Sequence, residues 1–200
     1  MSSTGPALVM VIRHGEKLGD PTDDTDRYVN LSIRGSSRAA AIPSLFDSAP
    51  PGWECIWSVD GKRVSGTYHL TEPKPVQPRF PLPGFLFATK PSGSSNRPVE
   101  TITPLSVALG LTIDAKHADK DYVDVATDIL SHPKYVNKVV LVCWHHGKIP
   151  DLARYLGAQN VPAKWDGTVF DRVWSIPFKD GAAGALEDAP QQLLYGDSSQ

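Results

Sequence analysis

The chain has 200 residues, of which 40% are hydrophobic, and this is enough for one well-buried core. We therefore predict a single domain over residues 1–200, because a second full domain would be cramped. The 20 basic and 22 acidic residues are mixed along the chain, with a formal net charge of -2 at pH 7. Since no polybasic or acidic block stands out, neither nucleic acid nor a membrane surface is expected as a partner.

The first residues argue against a secretory signal and a membrane anchor. The apolar run at 7–12 follows no basic segment and is too short to span a bilayer. We therefore expect a cytoplasmic protein. Cys55 and Cys143 both lie in apolar runs, where a free cysteine behaves as a small hydrophobe, and their spacing suggests no metal site.

Short apolar runs alternate with stretches of helical spacing. The pattern predicts strands at 7–12, 85–89, 138–144 and 172–178, and helices at 31–46, 99–110, 121–132 and 149–157. Strands that alternate with helices of about 10–15 residues are typical of α/β proteins. The predicted fold class is a three-layer α/β sandwich, with a mostly parallel central sheet and helices on both faces.

Three segments depart from this alternation. Residues 55–70 could form a hairpin that turns at Asp60-Gly61. Residues 71–84 contain five prolines and are predicted to run as an extended surface loop, within an insertion over about 60–84. This loop could be a rigid connector or could lie over a binding site. Residues 179–200 are predicted to be a flexible tail, in which 191–197 could add an edge strand.

Cationic side chains follow several of the predicted strands. The first strand ends in "RHGE" (13–16), and "HHGK" (145–148) follows the strand at 138–144. Arg97 comes after the strand at 85–89 and before a helix. In open α/β sheets the ligand crevice lies beyond the carboxyl ends of the strands. Two arginines that converge there would repel each other unless a dianion lay between them, and the guanidinium fork matches phosphate oxygens. The inferred ligand is a phosphoryl group.

Four motifs, in this order, resemble the phosphoglycerate-mutase-like branch of the histidine phosphatase superfamily. They are "RHGE" after the first strand, "LSIRGSSRA" (31–39) at the first helix, Arg97 four residues before Thr101, and His145 after the strand at 138–144. The similarity extends from about residue 7 to 178. It implies the phosphoglycerate-mutase-like fold and phosphoryl transfer through a phosphorylated histidine.

The resemblance also implies a role for each matching residue. His14 would be the nucleophile that becomes phosphorylated, and Arg13 and Arg97 would hold phosphate oxygens. His145, rather than His146, matches the second catalytic histidine of the family. Histidine is a competent nucleophile near neutral pH, and a phosphoramidate intermediate splits one hard displacement into two easier ones. The scheme requires neither a metal nor another cofactor.

The residues around these motifs are further candidates for substrate binding. Gly15, Glu16 and His146 would adjoin the phosphoryl group, although Glu16 could instead only orient the residues before it by hydrogen bonding. Lys17 and Lys148 could extend the positive rim toward a second anionic group, or could simply be solvated.

The general acid that protonates the leaving oxygen departs from the family pattern. Family members usually place a glutamate about two dozen residues beyond the second arginine, and this chain has none there. Asp121 and Asp124 lie in that window and are the candidates. Asp121 could instead only begin a helix, where a carboxylate meets free backbone amides, and Asp124 could be solvated.

We predict a metal-independent phosphatase that hydrolyses a small phosphomonoester through phospho-His14. The stretch "KLGDPTDD" (17–24) lacks the continuation expected of the glycolytic mutase, which favours a phosphatase over a phosphomutase. One alternative is a non-catalytic phosphate-binding pseudo-phosphatase. Another is a metallohydrolase with His14, His145 and His146 as ligands, which an arginine beside a ligand histidine would oppose. The sequence predicts neither the substrate nor the oligomeric state.

Overall fold

The structure is a computed structural model, and it describes residues 5–17, 29–46, 54–59, 62–67 and 79–199, with only the backbone at 54–59 and 62–67. The strands in this part of the chain are β1 (Leu8–Arg13), β2 (Glu54–Val59), β3 (Lys62–Thr67), β4 (Phe85–Ala88), β5 (Ile113–Asp114), β6 (Val139–Trp144), β7 (Arg172–Lys179), β8 (Ala182–Ala183) and β9 (Glu187–Pro190). The α-helices are α1 (Ile33–Ala41), α2 (Arg97–Leu109), α3 (Tyr122–Ser131) and α4 (Ile149–Tyr155). Single 3₁₀ turns lie at Ile42–Leu45, Asp119–Asp121 and Pro133–Tyr135.

A central sheet has the strand order β5-β4-β6-β1-β7-β8, and β9 also pairs with β7. The strands β5, β4, β6 and β1 are parallel, whereas β7 runs antiparallel to β1 and pairs antiparallel with β8 and β9. The register of β1 on β6 runs from Leu8 opposite Val139 to Arg13 opposite Trp144. These two strands therefore end together at one edge of the sheet.

Helices pack against both faces of the sheet. Because successive strand residues point to opposite sides, each central strand contributes side chains to two buried clusters. Val9 and Val11 of β1 belong to one buried cluster, which includes residues of α3 and α4. Met10 and Ile12 belong to a second cluster, which includes Ile102 of α2 and the turn after α1. The predicted α/β class with a mostly parallel central sheet is confirmed.

The helix ends follow local chemistry. Ser32 caps α1, because its hydroxyl accepts a hydrogen bond from the amide of Gly35 at 3.1 Å. The predicted helix over 31–46 is α-helical only to residue 41 and continues as a 3₁₀ turn, where Pro43 lacks the amide that a further α-helical turn needs. Gly110 ends α2 with φ 64°, a left-handed conformation that costs glycine little. None of the described helices is long and apolar enough to cross a bilayer.

The predicted hairpin is present as two antiparallel strands, β2 and β3, in which Val59 pairs with Lys62. The turn itself, residues 68–78 and thus most of the proline-rich segment lie outside the described residues. The end of that segment is described, and it is not wholly a surface loop. Phe80 is 8% exposed and its ring lies against that of Phe46 in the core.

The predicted flexible tail at 179–200 is wrong for the described residues. The segment adds β8 and β9, so the edge strand lies at 187–190, and residues 191–197 form no strand. Beyond it, Asp197 accepts hydrogen bonds from the amides of Leu193 and Leu194 and pairs with Arg38 at 2.7 Å. Because Arg38 is only 1% exposed, it requires buried counter-charges, and the C-terminal segment supplies one.

Candidate active site

The carboxyl ends of β1 and β6 bring two histidines together. The amide of His14 donates to the carbonyl of Trp144 at 3.2 Å, which continues the strand pairing past Arg13. His145 follows Trp144 directly, so the rings of His14 and His145 meet edge to face with centroids 5.0 Å apart. Sheet register alone therefore makes these two side chains neighbours.

Hydrogen bonding sets the tautomer of His14. Its Nδ1 lies 2.7 Å from the carbonyl oxygen of Gly15, and since a carbonyl can only accept, Nδ1 carries the proton. Nε2 then keeps its lone pair. Burial, with smaller contributions from the charges of His145, Arg97 and Arg13, lowers the pKa of His14 to about 2. The ring is therefore neutral at physiological pH, as a nucleophile must be.

Arg13 is held by the loop that precedes β7. Its Nη1 donates to the carbonyl oxygens of Gly167 at 2.7 Å and Val169 at 2.9 Å, and its guanidinium carbon lies 3.6 Å from the ring centroid of Phe170. Burial and the neighbouring charge of Arg97 lower the pKa of Arg13 to about 10. Two cationic groups are thus held close together with little water around them.

Several buried donors of this region lack partners. The Nε atoms of Arg13 and Arg97 and the hydroxyl of Ser95 are buried and have no hydrogen-bond partner among the described residues. Arg97 is 8% exposed and makes one long hydrogen bond, from Nη1 to the carbonyl of Ser94 at 3.5 Å. Because unsatisfied buried donors are costly, the group that fits here is an anion with several oxygens.

The loop after β1 is tied to α2 and packed against α1. The amide of Gly15 donates to Thr101 Oγ1 at 2.8 Å, and that hydroxyl donates to the carbonyl of Arg97 at 2.7 Å, which explains the four-residue spacing. A Cβ on Gly15 would lie 3.0 Å from the carbonyl oxygen of Gly35, and a Cβ on Gly35 would lie 2.3 Å from that of Glu16. Glycine at both positions lets α1 approach the nucleophile loop.

One cavity of about 610 Å³ contains these side chains. Its lining is dominated by cationic and hydroxyl-bearing residues: Arg13, His14, Lys17, Thr89, Lys90, Ser92, Ser94, Ser95, Arg97, Ala118, Asp119, Lys120, His145, His146 and Gly147. The four residues on which the sequence prediction depends most, Arg13, His14, Arg97 and His145, lie in this one cavity. Nowhere in the described part of the chain are three histidine, cysteine or acidic side chains grouped to hold a metal ion, so the metallohydrolase alternative has no ligand set there.

Solved structures share this architecture. Phosphoglycerate mutase from Bacillus anthracis str. Sterne superposes with a TM-score of 0.50 at 13% identity over 94% of each chain. The chain has the phosphoglycerate-mutase-like fold. Two proteins described as phosphohistidine phosphatase SixA match less well: that of Agrobacterium tumefaciens has a TM-score of 0.49 at 14% identity over 92% of this chain and 99% of its own. That of Nakamurella multipartitia has a TM-score of 0.43 at 14% identity over 94% and 99%.

No model of a protein family matches the sequence, and no curated protein matches it. At these identities the structural likeness to the histidine phosphatase superfamily concerns the fold. The roles of individual side chains therefore depend on the geometry of this chain.

Both histidines of the "HHGK" motif line the cavity, but their surroundings differ. His145 contacts the ring of His14, and its Nε2 lies 3.3 Å from Thr89 Oγ1. Burial and the charge of Arg97 lower the pKa of His145 to about 4. His146 lies farther toward solvent, and burial also lowers its pKa. This geometry makes His145 the direct neighbour of His14 and places His146 in the wall of the cavity.

Glu16, predicted to bind substrate, is directed elsewhere. Its carboxylate pairs with Arg38 at 2.7 Å and with Arg34 at 3.0 Å, and it does not line the cavity. Burial opposes its charge, yet the hydrogen bonds from these arginines keep the pKa of Glu16 below its usual range. Gly15 likewise serves packing and the bond to Thr101 rather than lining the cavity. Glu16 thus ties the loop after β1 to α1, outside the cavity.

The predicted general acids also lie outside the cavity. Asp121 accepts a hydrogen bond from the amide of Ala118 at 3.1 Å, as a residue at a helix start does, and Asp124 is exposed on α3. The acid that lines the cavity is Asp119. Its carbonyl accepts a hydrogen bond from Trp144 Nε1 at 3.2 Å, which fixes the backbone there.

Asp119 has the environment of a proton donor. Its Oδ1 is buried and has no hydrogen-bond partner among the described residues. Burial raises the pKa of Asp119, and the charge of Lys148 together with a hydrogen bond from Trp144 offsets only part of this effect. Sequence reasoning missed Asp119 and Ser95. The available signal for Asp119 was its position just before the predicted helix at 121–132, where a 3₁₀ turn can direct a side chain across the strand ends.

Proposed function

We propose that this protein is a member of the histidine phosphatase superfamily that hydrolyses a small phosphomonoester without a metal ion, through a phosphohistidine at His14. The observation that supports it most is the geometry around His14: its Nδ1 lies 2.7 Å from the Gly15 carbonyl oxygen, so Nε2 keeps its lone pair, in a cavity with two buried guanidinium groups. Positioning and positive charge on the equatorial oxygens are the main requirements of phosphoryl transfer, and Arg13 and Arg97 supply both.

In the first step, the Nε2 lone pair of His14 attacks phosphorus and the bond between phosphorus and the ester oxygen breaks. The leaving oxygen takes the proton of Asp119, so the alcohol departs neutral and Asp119 becomes a carboxylate. Arg13 and Arg97 hold the oxygens of the transferred group, with His145 as a further donor. A preorganised donor of this kind is worth about 10²–10³ in rate.

In the second step, water attacks phosphorus on phospho-His14 while the Asp119 carboxylate accepts a proton from that water. The bond between phosphorus and Nε2 breaks, and its electron pair returns to the ring. Inorganic phosphate leaves, and both His14 and Asp119 regain their initial protonation states. The proton that Nδ1 donates to the Gly15 carbonyl stays in place throughout.

Hydrolysis of 4-nitrophenyl phosphate in the presence of a chelator tests this proposal. We expect turnover by the wild type and a loss of at least about 10³-fold in His14→Gln, since the nucleophile is removed. His132→Gln, which changes an exposed histidine at the end of α3, is the matched control and should keep wild-type rates.

The alternatives predict other results in the same assay. A pseudo-phosphatase would bind inorganic phosphate without releasing it from any ester, and a phosphomutase would transfer the group to an alcohol in preference to water.

We also propose a cytoplasmic location, in keeping with the use of the first apolar run as the central strand β1; cell fractionation would test it.

A further inference from the structure

The cavity extends well beyond the residues that hold the phosphoryl group. At about 610 Å³ it has the size of a site for a whole small molecule. Outside the group around His14, its lining includes Lys17, Lys90 and Lys120. These three lysines come from separate parts of the fold: the loop after β1, the loop after β4 and the 3₁₀ turn before α3.

No described residue neutralises the three lysines. None of Lys17, Lys90 and Lys120 makes an ion pair in the part of the chain that the structure describes. Lys148, which the sequence also placed at the rim, instead pairs with Asp151 at 3.3 Å and does not line the cavity. Since the whole chain has a net charge of -2, this positive surface is local and not a general property of the protein.

The adjoining wall offers donors with few acceptors to satisfy them. The turn at 92–95 is fixed by Ser92 Oγ, which accepts from the amides of Ser94 at 3.3 Å and Ser95 at 3.1 Å. Ser95 is 4% exposed, and its hydroxyl has no partner among the described residues. Among the described residues that line the cavity, Asp119 is the only one with a carboxyl group. A wall of this composition suits the oxygens of an anion and not a neutral or cationic group.

We propose that Lys17, Lys90 and Lys120 form a second anion subsite, and that the substrate is a small phosphomonoester whose leaving group carries a further phosphate or carboxylate. This inference rests on the proposed function, because it places the reacting phosphoryl group at His14 and the second anion on the lysine wall. Phosphate and carboxylate, the two candidates for the second anion, are both compact groups of negatively charged oxygens that three ammonium groups can surround.

Matched substrates test the subsite. Monophosphates and bisphosphates of straight-chain diols of increasing length have the same alkoxide leaving group and differ in the second phosphate. At low ionic strength we expect kcat/KM to be at least about tenfold higher for the best bisphosphate, beyond the statistical factor of about 2 for its two ends, with the preference falling as salt is added. The chain length of the best bisphosphate reports the distance between the subsites.

Lysine variants locate the effect. Lys17→Gln, Lys90→Gln and Lys120→Gln should each reduce the ratio of bisphosphate to monophosphate kcat/KM by about two- to fivefold, and the triple variant should bring it close to the statistical factor. Lys179→Gln, an exposed lysine at the end of β7, is the matched control and should leave the ratio unchanged. A wild-type ratio near the statistical factor, or equal effects of Lys179→Gln, would overturn the subsite.

Non-hydrolysable phosphonates separate this inference from the proposed function. Isothermal titration calorimetry measures the affinity of the wild type for bisphosphonates and monophosphonates with the same chain lengths as the diol phosphates. This measurement requires no turnover. Tighter binding of the bisphosphonate that the triple variant loses supports the subsite even if no ester is hydrolysed, in which case only the proposed function fails. Hydrolysis of esters with equal binding of both phosphonates would leave the proposed function standing and overturn the subsite.

Discussion

Substitution of Asp119 by asparagine removes the carboxyl group that we propose as the general acid and changes little else. Asparagine keeps the size of the side chain, and the hydrogen bond from Trp144 goes to the backbone carbonyl, so the fold should not change. General acid catalysis is worth about 10²–10⁴ in rate, or about 2.7–5.4 kcal/mol. Asp119 is half-buried, its Oδ1 has no hydrogen-bond partner among the described residues, and the side chain is suited to that role. We expect Asp119→Asn to lower kcat/KM for an alkyl phosphate by this factor.

The loss should depend on the leaving group. An alkoxide must be protonated as it departs, whereas 4-nitrophenolate leaves readily without a proton. We therefore expect Asp119→Asn to lower kcat/KM for 4-nitrophenyl phosphate by about tenfold or less, against the full factor for glycerol 2-phosphate. Steady-state kinetics with both substrates measures the difference directly.

The pH profile gives a second readout. Asp119 must be protonated in the first step, and burial raises its pKa, so alkyl phosphate hydrolysis should fall as pH rises through that pKa. Asp119→Asn should lack this alkaline limb. Asp121→Asn and Asp124→Asn are matched controls outside the cavity, and we expect kcat/KM within about twofold of wild type. Equal losses for both substrates in Asp119→Asn, or a selective loss in Asp121→Asn, would refute the assignment.

Three further predictions concern the anion site and the elements that support it. Arg97→Lys should lower kcat/KM by about 10²–10³ with an unchanged circular dichroism spectrum, because an ammonium cannot replace the planar fork; a rate near wild type would contradict the role. Gly35→Ala should destabilise the fold by about 1–3 kcal/mol in urea, since its Cβ would lie 2.3 Å from the Glu16 carbonyl oxygen, while Gly93→Ala, with nothing within 4 Å, should not. Burial opposes the charge of Asp197, but hydrogen bonds from Arg38 of α1 lower the pKa of Asp197 to about 2. Asp197→Asn should therefore lower the free energy of unfolding by about 1–3 kcal/mol at neutral pH. That cost should shrink as pH falls from about 4 through 2, where the wild-type carboxylate is protonated, and a constant difference in acid would argue against it.

The sheet and the convergence of the site could be predicted because both follow from strand geometry. The runs at 7–12 and 138–144 are continuous and apolar, which is typical of strands buried on both faces. Once two such strands are parallel and adjacent, the residues after each must meet at one edge. This is why His14 and His145, 131 positions apart in the sequence, could be placed together without coordinates.

The features that were missed depend on contacts that leave little trace in the sequence. Glu16 is directed away from the cavity because Arg38, on a helix whose packing the sequence does not specify, lies buried beside it. Asp119 faces the strand ends because a single 3₁₀ turn precedes α3, and periodicity does not resolve one turn. The strand at 187–190 is short and partly acidic, as protected edge strands often are, so it has no apolar alternation to reveal it.

Trapping the phosphorylated enzyme tests the central claim most directly. The wild type is mixed with a ³²P-labelled phosphomonoester, quenched in alkaline detergent within the first turnover, and digested for peptide mass spectrometry. We predict a phosphoryl group on His14 that is stable to base and lost in acid, with no label in His14→Gln. Turnover by the wild type without any labelled enzyme, or a label on another residue that persists in His14→Gln, would contradict the account.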